Sequence, residues 1–458
     1  MRIQNALLPI LGRRFISSRP IEQGPWLTRE LISNKNPVLV IDFKELTDSK
    51  LDSPGGSNAE LRSDTGLITD FRQIASFNWC GSPERPIMII PGAPRHFRHS
   101  LKEDVLRADA DERIISKHAY FSPEYPLESL FLGAQKCAEF ENRPQINFSS
   151  YDIVTDRIVL RRLFEYCRRR GAFPEPFWHS RGSSIQQSGI RIELERVGDR
   201  LIILNRCEPS IYVVPCSTRR HIFGQDFRSK VTDEAPLFSN SSSNRLLHAL
   251  DSAVPMREQI SAHCHISSYS FGNLKLLVRY NVACVDMEKS RPIESPADDG
   301  MDYCIRSVPS SNISYVRAGQ RYDYHTMEIT TRRANRPFPL YKLIQLYFSQ
   351  TAAVAVGWYD FDRMTNTARV TPKVYSVEAC RSMGANISSL SDEGYDDGTL
   401  ILMHNLLHRV VDFVRCQPSG KKFALIWPPR YSTCQLQVFE KRKSSPSALP
   451  DYLLEDIL

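Results

Sequence analysis

The stretch Leu274-Lys275-Leu276-Leu277-Val278-Arg279-Tyr280-Asn281-Val282-Ala283-Cys284 decides the fold class. Successive side chains of an extended chain point to opposite sides. Leu274, Leu276, Val278 and Tyr280 therefore share one face of a strand at 273–282, and Lys275, Leu277, Arg279 and Asn281 share the other. A polar Pro/Ser/Asp insertion at 289–312 follows, and then a second strand at 324–332 that carries Met327-Glu328-Ile329-Thr330-Thr331-Arg332. Residues 340–350 place Leu343, Ile344, Tyr347 and Phe348 at helical spacing, and 352–359 is a short apolar strand. Strands interleaved with helices on this scale predict a mixed α/β (α+β) single domain, a central mixed sheet flanked by helices.

The same texture extends outward. Residues 156–170 read as a helix with Thr155 as N-cap and Gly171 as its stop. Val159, Leu163 and Cys167 form its apolar stripe, and arginines decorate the rest. Strands at 190–195 and 200–205 flank the turn Val197-Gly198-Asp199. A helix is expected at 400–416 and a last strand at 422–427. The expected organisation is a leader and linker at 1–66, a domain at 67–435 interrupted by the loop 289–312, and a tail at 436–458.

With 458 residues, 41% hydrophobic and 10% aromatic, the chain can bury a sizeable core, which excludes wholesale disorder. No apolar run approaches the roughly 20 residues that cross a bilayer as a helix, so no membrane partner is expected. Lysine and arginine total 59 against 52 acids, a formal charge of +7 that permits an anionic partner without demanding one. The 11 cysteines are scattered with no CxxC pair, which argues against a zinc ribbon and for reduced thiols. In His263-Cys264-His265 the two histidines share a strand face, but a third ligand is not evident and a structural role is expected. A nuclear or cytoplasmic location is expected; Arg2, Arg13, Arg14 and Arg19 with no acid in residues 1–20 make a mitochondrial address the alternative, although Pro9 interrupts the helix such a signal needs.

Two strands bearing carboxylates, followed by a helix and a strand, make the skeleton of a metal-dependent nuclease. The carboxylates share Mg²⁺ or Mn²⁺, and a lysine two residues past the second one faces the same side and orients the attacking water. The order of segments resembles the decapping-nuclease (DXO) family of the PD-(D/E)XK superfamily, and in particular its divergent fungal members. Val154-Thr155-Asp156-Arg157-Ile158-Val159-Leu160 resembles V-T-W-R-G-x-L, with Arg157 on the family's phosphate-contacting arginine. His221-Ile222-Phe223-Gly224 falls where the family has a G-x-K-F-E type segment. Residues 276–284 resemble the strand carrying G-E-V-D-C, and Met327-Glu328-Ile329-Thr330-Thr331 resembles E-L-K-T. Residues 69–79 and 90–94 resemble the fungal group more specifically. The resemblance spans roughly 67–430 and is carried by order and spacing rather than by any one motif.

The resemblance implies Mg²⁺- or Mn²⁺-dependent hydrolysis at the 5′ end of RNA, with an exoribonuclease as the kind of protein partner. Several family positions differ. Asn281 stands for the first glutamate, Ala283 for the aspartate, Gly224 for the upstream glutamate and Thr330 for the lysine, so only Glu328 remains of the metal set. Asp286 is the nearest replacement ligand and Asp226 another. Arg332 shares the face of Glu328 and Thr330 but stays protonated and cannot serve as a base. The strands 273–282 and 324–332 are expected side by side in one sheet, with Asn281 and Glu328 facing one cleft. Arg157, Arg161, Arg279 and Arg332 are the expected phosphate contacts. The expected activity is impaired or absent.

Two other classes stay open. One is a non-catalytic RNA-binding or scaffold protein that keeps the groove. The other is a prenyl-diphosphate enzyme, because Asp298-Asp299-Gly300-Met301-Asp302 spells DDxxD, although Pro296 and Gly300 suit a solvated loop better than a helix. Gly357-Trp358-Tyr359-Asp360-Phe361 offers aromatic rings for base stacking or, more simply, for a core strand.

Overall fold

The computed structural model describes residues 36–42, 45–46, 67–107, 113–114, 117–168, 190–206, 213–214, 223–233, 263–293, 304–318, 322–334, 336, 338–362, 364–365, 367–385, 397–427 and 435–457. The leader at 1–20, His221-Ile222 and the DDxxD segment lie outside them. Among the described residues the strands form a mixed α/β architecture of two large sheets, of twelve and seven strands, with helices on their faces.

The strands that build the site are Ile68–Ser82 (β1), Ile153–Asp156 (β2), His263–Phe271 (β3), Leu274–Val282 (β4), Cys284–Pro292 (β5), Tyr322–Arg333 (β6), Ala353–Asp362 (β7) and Thr367–Ser376 (β8). The helices are Glu128–Phe140 (α1), Arg157–Arg168 (α2), Gly224–Val231 (α3), Leu340–Ser349 (α4) and Asp397–Arg415 (α5). In the middle of the larger sheet β4 lies between β2, which runs parallel to it, and β3, its hairpin partner, with β1 beyond. The smaller sheet runs β5-β6-β7-β8 through its centre.

The expectation that 273–282 and 324–332 pair in one sheet is corrected. β4 belongs to the larger sheet and β6 to the smaller; the partner of β6 is β5, with Cys284 opposite Met327 and Asp286 opposite His325. Ala283 is the one residue between β4 and β5, so a single extended run leaves one sheet and enters the other. Alternation fixes which side chains share a face but not which neighbour the backbone chooses.

β6, α4 and β7 form a parallel βαβ unit, with Glu328 in register with Val354 and Thr330 with Val356. Leu343 and Leu346 of α4 pack on Val354 and Val356, which seats the helix on the Glu328 face of the sheet. The other face, carrying Met327, Ile329 and Ala355, packs on Phe223, Phe227 and Val231 at α3. On the larger sheet, Val159, Leu163 and Cys167 of α2 are buried as their spacing predicts, together with Tyr269, Phe271, Leu276 and Val278. The opposite face packs on α1 through Leu130, Phe131 and Ala134.

Segments near both limits of the described residues pack on the larger sheet. Leu39–Ile41 pairs with Leu436–Glu440 at its edge, and Leu453 and Ile457 of the helix Asp451–Ile457 are buried in the α1-side core. Leu39–Ile41 thus supplies an edge strand, and the helix Asp451–Ile457 part of the core. The expected loop 289–312 is likewise bounded by strand, since β5 continues to Pro292 and Arg306–Ser307 pairs with Ser314–Ala318.

Candidate functional site

Glu328 sits on β6 beneath α4. Its position in the register points the side chain at the helix, and it is buried. Lys342 Nζ donates to Glu328 Oε1 at 2.9 Å, and Gln345 Nε2 donates to Oε2 at 3.4 Å. Lys342, Gln345 and Ser349 recur at i, i+3 and i+7, so α4 presents a polar stripe to the sheet beside its apolar one.

Arg157, the first residue of α2, reaches the same place from the larger sheet. Its Nη1 donates to Ser349 Oγ at 3.0 Å and its Nη2 to the Asn281 carbonyl oxygen at 3.4 Å, with the guanidinium carbon 5.4 Å from the centre of the Tyr280 ring. Arg228 of α3 donates from Nη2 to the Ala283 carbonyl oxygen at 2.8 Å. One turn along α2, Arg161 lies 5.9 Å from the centre of the Tyr341 ring. The point where β4 becomes β5 is therefore held by arginines on its carbonyl oxygens.

The electrostatics follow from this crowding. Burial pushes the Glu328 carboxyl pKa up, but Lys342, Arg157 and Arg228 together outweigh it and leave the group below its ordinary value. Burial, and then the field of Arg157 and Arg206, draws Arg161 down to about 10, still charged at neutral pH. Burial also lowers Arg157 and Arg228, and Glu328 acts on both in the opposite direction. One carboxylate thus lies in the field of three cations.

The structure brings Glu328, Arg157 and Arg161 into one neighbourhood and keeps Thr330 and Arg332 on the Glu328 face of β6, both half-buried. It turns the other expected site residues elsewhere. The Asn281 side chain accepts from Cys264 Sγ at 3.2 Å, on the opposite side of β4 from Tyr280 and Arg157. Only the backbone carbonyl of Asn281 enters the cleft, which corrects the expectation that its amide faces Glu328. Ala283 contributes its carbonyl alone. Arg279 is 1% exposed, with Nε and Nη2 each 2.8 Å from Asp156 and Nη1 bonded to Pro126 and Ser129. All three nitrogens are spent on tying β4 to β2 and to the start of α1.

Asp286 stands opposite His325, three residues from Glu328 along β6, and therefore on the other face of the sheet. It meets His99 at 3.0 Å and Lys289 at 3.1 Å, and with His99 and Glu288 it forms a group whose ligand atoms lie within 4.8 Å of one another. Glu328 and Asp286 thus cannot share an ion. Asp226 accepts from the Arg107 backbone at 2.8 Å. His263 and His265 do share a face, but their Nε2 atoms hydrogen-bond each other at 3.0 Å and His263 Nδ1 meets Asn78 Oδ1 at 3.0 Å, a structural pairing.

The donor set at Glu328 does not fit Mg²⁺ or Mn²⁺. Such ions need several anionic or carbonyl oxygens. Here the carboxylate is taken by an ammonium and an amide, and the surrounding charges have the ion's own sign. What the arrangement can do is hold an anion. Lys342, Gln345, Ser349 and Arg228 were missed by the reading of motifs, although the spacing of the first three was open to inspection.

The chain is similar in fold to S. pombe Rai1, with a TM-score of 0.46 at 12% identity over 81% of this chain and 94% of that one. It is similar to Candida albicans Rai1, solved in complex with pU5-Mn²⁺, with a TM-score of 0.49 at 12% identity over 81% of this chain and 90% of that one. K. lactis Dxo1, solved in complex with manganese, gives 0.47 at 9% identity over 84% of this chain and 93% of that one. No curated protein matches the sequence. Residues 61–373, well over half of the chain, match the family model described as "Domain of unknown function (DUF8563)", and the chain belongs to that family.

Proposed function

We propose that this chain is a decapping-nuclease-like protein that binds the 5′ end of RNA through its phosphates and does not hydrolyse it. The observation that carries the reading is the ion pair of Lys342 with Glu328, with Arg157 and Arg228 beside it. Ammonium and guanidinium groups take up the charge that divalent ions would otherwise supply. Guanidinium groups match phosphate oxygens in pairs, and in a partly desolvated cleft such contacts are stronger than at the surface. The resemblance of Arg157 to a phosphate-contacting arginine supports the same assignment. The missing carboxylates at Asn281 and Ala283 support the loss of catalysis, because nothing remains to fix an attacking water between two ions.

The test is fluorescence anisotropy with matched oligoribonucleotides carrying a 5′ phosphate or a 5′ hydroxyl, with Mg²⁺ or with a chelator. The expected result is preference for the 5′ phosphate, no response to the chelator, and weaker binding with a shallower salt slope in Lys342→Ala. Mg²⁺- or Mn²⁺-dependent release of nucleotides or caps, abolished by Glu328→Ala, would show that the protein is an enzyme after all.

A further inference from the structure

The tip of the β3–β4 hairpin, Gly272-Asn273, packs on α5 at a pair of histidines. His404 and His408 are one helical turn apart, so both rings leave the same face of the helix. Their Nε2 atoms each lie 2.9 Å from Asn273 Oδ1. Gly272 has φ +60°, and a Cβ there would come within 2.5 Å of His404 Nε2, so the turn is pressed onto the rings. His404 is buried and forms the floor; His408 and Asn273 reach solvent and form the rim.

His408 Nδ1 is 3.4 Å from Asp412 Oδ2, and a proton on Nδ1 leaves Nε2 with a lone pair. His404 Nδ1 and Asn405 Oδ1 are both buried without a well-formed hydrogen bond. A proton on His404 Nδ1 likewise leaves its Nε2 with a lone pair. Two Nε2 lone pairs then converge on one point, where the Asn273 amide sits. The oxygen and nitrogen of that amide are interchangeable by rotation, and its NH₂ end satisfies both rings at once.

We propose that His404, His408 and Asn273 form a binding site for a divalent transition-metal ion of the zinc class. The two Nε2 atoms and, after rotation of the amide, Asn273 Oδ1 are the ligands, with water completing the shell. Imidazole pairs select zinc, nickel, copper or cobalt over the hard Mg²⁺. Asp412 behind His408 is the kind of outer partner that metal-bound histidines ordinarily have. Bound there, the ion clamps the hairpin tip to α5. The site does not depend on the reading of the Glu328 cleft.

Isothermal titration of the untagged, chelator-stripped full chain tests the site, with Zn²⁺ and Mg²⁺ as titrants and Co²⁺ absorption as a second readout. One equivalent of Zn²⁺ should bind, and Mg²⁺ should not. His408→Ala should weaken Zn²⁺ at least tenfold and abolish the Co²⁺ visible bands, and Asn273→Asp, which supplies a charged oxygen, should tighten it. His99→Ala should change nothing, which separates the site from the His99–Asp286–Glu288 group. His404 lies in the core and its removal threatens folding, so half-buried His408 and exposed Asn273 carry the test. Absence of Zn²⁺ binding, equal affinity in wild type and His408→Ala, or loss of binding in His99→Ala would each overturn the proposal.

Discussion

At the scale of single residues, the Glu328–Lys342 pair decides the character of the cleft. The carboxyl is held below its ordinary value, so its ionised form stabilises the fold at neutral pH. That contribution is complete above the unfolded value of about 4.3 and is lost as pH falls through the lower, folded value. Glu328→Gln should therefore flatten the acid limb of a plot of urea midpoint against pH. Lys342→Ala leaves a buried carboxylate with less compensation, and should cost on the order of 3 kcal/mol at neutral pH. A neutral-pH midpoint unchanged in Lys342→Ala would mean that Arg157 and Arg228 already balance the charge. Arg279 makes a contrasting case. Its pairing with Asp156 is buried, so Arg279→Ala should destabilise by roughly 3–5 kcal/mol while leaving the salt slope of the proposed RNA binding intact in whatever fraction stays folded. The face shared by Glu328, Thr330 and Arg332 was legible in the sequence because alternation alone determines it. The orientation of Asn281, Arg279 and Asp286 was not, because it depends on which element packs against each face.

At the scale of elements, the apolar spacings of α2 and α4 announced both helices and their buried sides, and Val197-Gly198-Asp199 marked its hairpin. Motif reading stopped at the apolar stripe of α4 and passed over Lys342, Gln345 and Ser349, whose spacing was equally regular. Polar residues on a helix ordinarily face water, so nothing in one sequence distinguishes a solvated stripe from one aimed at a buried carboxylate. The partition of β4 and β6 between two sheets was hidden for a different reason: Ala283 does not break the extended run, and the period of two continues across it. Packing between elements also limits β7. A Cβ on Gly357 would come within 2.8 Å of both Phe227 and Val370. Gly357→Ala should thus push α3 off the smaller sheet at a cost of about 1–3 kcal/mol, read as a drop in thermal midpoint. An unchanged midpoint would show that the Phe227 ring yields freely. Restoring acids with Ala283→Asp and Asn281→Glu should not by itself create Mg²⁺-dependent nuclease activity, because Lys342 still occupies Glu328; product release by that double variant would contradict the charge argument.

At the scale of the whole molecule, Leu39–Ile41 and Leu436–Glu440 lie side by side at one edge of the larger sheet, although about 400 residues separate them in the chain. More consequential is the passage of β4 into β5. One uninterrupted backbone belongs to both sheets, so an opening of either one pulls on a strand of the other. Amide protons of β4 and β6 should exchange with solvent through one shared opening event, despite sitting in different hydrogen-bonded ladders. Loosening the smaller sheet, as in Gly357→Ala, should accelerate exchange in the larger one by the same free energy. Exchange that quickens in β6 while β4 stays protected would show two independently opening halves; a common shift would make the molecule a single cooperative unit, hinged nowhere.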